Sequence, residues 1–170
     1  MDRNAFLIAL SESDRTLLGR VEFVEQPREQ QVFSAIWAME SQVNNGGFAQ
    51  YFSGADGHTA NFAATALRLI GADRCADIVS RALRAVAADA LPEDQPTRER
   101  LVDALDARAK AALESLDQEF FGYPDNLTNL LFEYVRSKPQ MLVLFPMSRP
   151  PNQPLQPTRA EPRAAERPIR

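Results

Sequence analysis

Two groups of residues in this sequence have the types and spacing to do chemistry: a row of carboxylates and a polar, aromatic-rich corner. Glu99, Asp103, Asp106, Glu114 and Asp117, placed at about 100° per residue, fall within an arc of about 80° on one helix flank, about 120° round from its apolar stripe. Carboxylates one turn apart rise about 6 Å, so such a rail can imitate successive backbone phosphates and engage a DNA-binding surface. Asp89, Glu93 and Asp94 lead into it, Lys110 interrupts it, and Arg98, Arg100 and Arg108 share the helix. A solvated face with internal charge pairs explains the same pattern.

The corner lies in the stretch WAMESQVNNGGFAQYF, residues 37–52. Glu40 there is a candidate general acid or base, with Asp56 and His58 on the following loop as partners. Glu40, Asn44, Gln50 and His58 together would form a small-ligand or enzymatic site. The structural alternative makes Glu40 and Gln50 braces, with Glu40 accepting from the loose amides of the Asn-Gly turn. No Gly-x-Ser-x-Gly, His-Glu-x-x-His or phosphate-binding Gly-Lys-Ser/Thr string is present, and one His58 with one Cys75 cannot assemble a His/Cys metal site. The expectation is a non-enzymatic protein without metal or cofactor.

Helices must position both groups. Val32, Phe33, Ile36, Met39 and Val43 recur as one buried helix face, which Asn44, Asn45, Gly46 and Gly47 should end in a tight reversal, since Asn and Gly enter left-handed conformations most cheaply. Phe48, Tyr51 and Phe52 lie at i, i+3 and i+4 of the next segment and, with Trp37, are expected to pack around the corner. Short helices are expected over residues 5–10 and 16–23, and further ones from Thr59 to a C′ residue at Gly71, from Asp73 onward, over residues 97–120 as the longest, and from Leu127 to before Pro139. No period-two strand pattern occurs. The fold class is therefore all-α: a single compact multi-helix domain of about seven helices over residues 1–138. Residues 139–170 hold eight of the 12 prolines and read as a Pro-rich disordered tail, with residues 141–145 able to dock on the body.

The string E-x-x-V-N-N-G-G-F-x-Q-Y-F at residues 40–52, with A-L-x-x-I-G-A at 66–72, L-D-x-E-F-F at 116–121 and L-L-F-E-Y-V at 130–135, resembles the DNA-mimic-protein (DMP) family of small helical domains. The resemblance covers roughly residues 33–135. It implies an interaction protein whose acidic surface occupies the DNA-binding face of a transcription regulator, rather than an enzyme.

Charge distribution fits an acidic body. Up to Ser148 there are 21 Asp and Glu against 14 Lys and Arg, a balance of −7, while residues 149–170 carry +3. Such a body disfavours direct nucleic-acid binding and favours basic partners. The partner expected is a protein, with a DNA-binding protein as the leading kind; a homodimer whose acidic surface has no mimicry role is a third reading. The lone cysteine, the short apolar run at residues 5–10 and Asp2 suit neither a disulfide, a signal peptide nor a membrane span, so the expected compartment is the cytoplasm.

Overall fold

In the computed structural model, the described residues are 2–13, 16–18, 20–87 and 89–142, the side chains of residues 140 and 142 excepted. Seven α-helices run α1 Arg3–Ser11, α2 Arg28–Ser53, α3 Ala60–Leu69, α4 Asp73–Val86, α5 Gln95–Asp103, α6 Ala107–Phe121 and α7 Leu127–Ser137, with no strand among the described residues. None of these helices is long and apolar enough to cross a membrane.

Helix ends follow local chemistry. Asp2 caps α1 through the Asn4 and Ala5 amides, Asp94 caps α5 through Thr97, and Asn126 caps α7 through Asn129. α3 stops at Gly71, φ 82°, where Ala72 N–H bonds Leu67 O at 2.9 Å and Gly71 N–H bonds Arg68 O at 3.0 Å. This pair of bonds is the Schellman motif that the C′ position of Gly71 implied. α2 is the central element, with α3, α5, α6, α7 and the 3-10 turn Ala55–Thr59 packed on it. α1 closes the other end against α7, the Phe6 ring edge-on to Phe132 at 5.3 Å. Val32, Ile36, Met39 and Val43 are fully buried along α2.

Three expectations about these elements are corrected. Residues 16–23 form no α-helix among those described; turns lead to a 3-10 turn at Phe23–Glu25, because so short a segment cannot recover the cost of helix nucleation without a wide apolar face. The Asn-Gly run kinks α2 without ending it. The long helix over residues 97–120 is two helices, since the Asp106 side chain accepts from Ala109 N–H at 2.7 Å and starts a new one. Beyond α7, Pro139–Leu142 forms a 3-10 turn with Met141 buried and its carbonyl accepting from Gln30 Nε2 at 3.2 Å. The remaining tail expectation, on residues 143–170, lies outside the described residues.

Candidate functional site

The kink is built from backbone first. Gly46 lies at φ −162°, ψ 22° and Gly47 at φ 76°, ψ −176°, the latter a region open essentially to glycine alone. A side chain on Gly47 would also strike the Asp117 carboxylate. Interrupting a helix leaves amides without helical acceptors, and Asp117 Oδ1, reaching across from α6, accepts Phe48 N–H at 2.8 Å. Asp117 thus acts as a cap supplied from another helix. Burial raises its pKa, the Phe48 amide pulls it back, and the charge of Glu114 raises it further.

Below the kink the rings fill the interior. Phe48, Tyr51 and Phe52 have no exposed surface; Phe48 stacks on Phe52 at 5.7 Å and meets Phe120 edge-on at 5.8 Å. The Tyr51 hydroxyl donates to Thr59 Oγ1 at 2.8 Å, which in turn donates to Asp56 O. These rings are core. Trp37 differs: it is half-buried, stacked on Phe33 at 5.4 Å, and lines two neighbouring grooves that share it and Ser41.

Glu40, Asn44, Gln50 and His58 do not converge. Asn44 Nδ2 donates to the Tyr123 hydroxyl at 2.6 Å, and that hydroxyl also hydrogen-bonds Glu40, whose pKa is raised by burial and lowered in part by this bond. Glu40 is a brace, but to Tyr123 and not to the turn amides. Gln50 is exposed and donates to Gln42 Oε1 at 3.0 Å, and Gln42 donates to Asp56 Oδ2 at 2.7 Å. His58 is exposed, its Nδ1 within 2.8 Å of Ala55 O. Asn45 is exposed at the outer face of the kink. No group of His, Cys, Asp and Glu that could hold a metal occurs among the described residues. Cys75 is buried, its thiol pushed up to about 12 chiefly by burial, which makes it a poor nucleophile.

The carboxylate row is redistributed by the break between α5 and α6. Glu99 and Asp103 stand on α5, Asp106 in the joint, and Glu114 and Asp117 on α6. Glu99, Asp103, Asp106 and Glu114 are exposed, and none is in an ion pair among the described residues. Glu99 accepts from Gln95 at 2.8 Å and Asp106 from the Ala109 amide; Lys110 Nζ reaches only the Asp103 carbonyl, at 3.5 Å.

Arg98, one of the cations that the sequence places on the same helix as the rail, is 1% exposed. Its guanidinium donates to Phe52 O at 3.0 Å, Gly54 O at 2.9 Å, Pro92 O at 3.2 Å and Glu93 O. It gathers carbonyls at the C-terminal end of α2, where the helix dipole favours a cation. No periodicity marks this role. Tyr123, at φ 46° and 46% exposed, lies in the Gly-Tyr-Pro link between α6 and α7, and no sequence motif marks its hydroxyl as a shared partner.

The model of the DMP19-like protein family matches residues 25–138. The chain belongs to that family. No curated protein and no solved structure matches it. The DMP19-like match takes in the kinked α2, the Glu40–Tyr123–Asn44 cluster, Arg98 and the carboxylates of α5 and α6, and begins and ends slightly outside the span of the sequence resemblance. α1 precedes it. That helix is tied to the DMP19-like body by the Arg3–Glu133 ion pair at 3.3 Å and by Arg3 Nη1 donating to Asn129 Oδ1 at 2.9 Å.

Proposed function

We propose that the chain is a non-enzymatic interaction domain whose acidic flank, on α5 and α6, binds a basic partner in competition with DNA, the partner being a DNA-binding protein such as a transcription regulator. One observation carries this reading: Glu99, Asp103, Asp106 and Glu114 are exposed and lack ion-pair partners among the described residues although Arg100, Arg108 and Lys110 lie on the same two helices. Arg98, the other cation there, is withdrawn into the interior and satisfied by carbonyls. Glu99 and Asp103, one turn apart on α5, keep the rise of about 6 Å that suits phosphate imitation. Asp117, spent on the Phe48 amide, contributes field more than contact.

The test is a pull-down with the full chain, at low and high salt, with and without excess duplex DNA. The variant removes charge without removing a cap: Glu99→Gln, Asp103→Asn, Asp106→Asn and Glu114→Gln, because Asn caps as well as Asp. A DNA-binding protein retained by the wild type, displaced by DNA and by salt, and lost with the variant is the expected result. Retention indifferent to charge removal and to DNA overturns the reading.

A further inference from the structure

Beside α2 lies a groove of about 400 Å³, lined by no residue of α5 or α6, that the acidic-flank reading does not use. Its lining combines aromatic walls with carboxylates: Trp37, Phe33 and Phe23 on one hand, Glu22 and Asp56 on the other. Among the described residues no Lys or Arg lines it, and the one lining group there able to carry positive charge, His58, has Nδ1 engaged with Ala55 O and its ring edge-on to Phe23 at 5.7 Å. Asp56 is fixed by the Gln42 amide on Oδ2, which leaves Oδ1 with no partner among the described residues. Glu22 is exposed; its carbonyl accepts from Glu25 N–H at 2.9 Å, while its carboxylate makes no hydrogen bond among the described residues.

This chemistry is selective. Phosphates and carboxylates are repelled by Glu22 and Asp56, and a bare metal ion lacks a ligand cluster among the described residues. A cation with an apolar or planar body, in contrast, gains from the ring faces and from the carboxylates together. The geometry points to a binding site for a small organic cation, a guanidinium or an alkylammonium, between Trp37, Glu22 and Asp56. The cation comes either from an arginine side chain of another protein or from a free polyamine. The site is independent of the acidic flank, so it stands or falls separately from it.

Trp37 is the only tryptophan in the chain, so its fluorescence reports the groove directly. The full-length protein is titrated with N-acetyl-arginine amide, with spermidine, and with N-acetyl-citrulline amide as the uncharged isostere. A saturable change with either cation, at least tenfold weaker in Asp56→Asn and in Glu22→Gln, is expected, with citrulline inert. Saturation by the arginine derivative alone assigns a protein side chain as the source, and by spermidine alone a free polyamine. Glu22→Gln touches no hydrogen bond among the described residues, so loss of binding there is not loss of fold; Glu40→Gln, in the neighbouring groove, should change nothing. No saturation up to about 10 mM, equal binding of citrulline, or dependence on Glu40 in place of Asp56 overturns the assignment.

Discussion

The kink of α2 and the flank formed by α5 and α6 are both rich in polar groups, yet they treat them in opposite ways. Around the kink the buried and half-buried groups have partners: Asp117 takes the Phe48 amide, Glu40 shares the Tyr123 hydroxyl with Asn44, and Arg98 takes carbonyls at the helix end. On the flank Glu99, Asp103 and Glu114 stand in solvent without counter-charges among the described residues. Satisfied polar groups specify a fold, and unsatisfied exposed ones leave their field available to something else. Substitutions should therefore separate the two regions, stability responding at the kink and binding at the flank.

The largest loss is expected at Arg98. Replacing it with Ala strands several buried carbonyls at once and removes the cation at the negative end of α2, so urea denaturation should show a loss of about 3–5 kcal/mol. Arg98→Lys should recover only a small part, because one ammonium cannot reproduce the guanidinium fork. A loss at the flank of comparable size, for instance in Asp103→Ala, would erase the contrast. Next comes Gly47→Ala, which sets a Cβ in a glycine-only conformation and against the Asp117 carboxylate; about 2–3 kcal/mol is expected from the same denaturation curves. Gly71→Ala is the matched control. Its φ is also positive, at 82°, but a Cβ there meets nothing within 4 Å, so about 1 kcal/mol should be lost.

Much of this architecture was legible beforehand. Periodic apolar residues gave the helices, and glycine chemistry gave the end of α3 at Gly71 and a positive φ within the Asn-Gly run, realised at Gly47. The errors share a cause: each depended on a contact distant in sequence or on a cap hidden inside a periodic run. α2 continues past the kink because Asp117, 69 positions from Phe48, supplies the acceptor that a chain reversal would otherwise have to provide. The break before α6 was masked by the uninterrupted stripe of Leu101, Leu105 and Ala109, although an Asp at 106 is a strong cap. Arg98 looked like any surface cation, and only the carbonyls of residues 52, 54, 92 and 93, brought together by tertiary packing, reveal it as interior. The four polar residues of the candidate ligand corner are parted for the same reason: Glu40 and Asn44 meet at the Tyr123 hydroxyl, whereas Gln50 turns to Gln42 and His58 to the Ala55 carbonyl.

A smaller contrast lies between two carboxylates of the acidic row. Asp117→Ala removes the acceptor of Phe48 N–H and should cost about 1 kcal/mol, as for loss of a helix cap, whereas Asp103→Ala should stay within about 0.5 kcal/mol. Equal effects would mean that Asp117 belongs with the flank after all.

The subtlest difference is in pH dependence, and Glu40 reads it. Its folded-state pKa is raised above the ordinary 4.5 because burial disfavours the charged form, with the Tyr123 hydrogen bond opposing. A raised folded pKa means that the native protein holds this proton more tightly than the unfolded chain. The associated stability is therefore complete below pH 4.5 and declines as pH rises through the folded pKa. Glu40→Gln carries no charge to desolvate and still offers an oxygen to the Tyr123 hydroxyl. Urea midpoints measured from pH 4 to pH 8 should thus show the variant gaining on the wild type as pH rises. If the Glu40→Gln curve runs parallel to the wild type, the ionised Glu40 carboxylate is no less favourable in the fold than in water, and its cluster with Tyr123 and Asn44 belongs with the solvated carboxylates of α5 and α6.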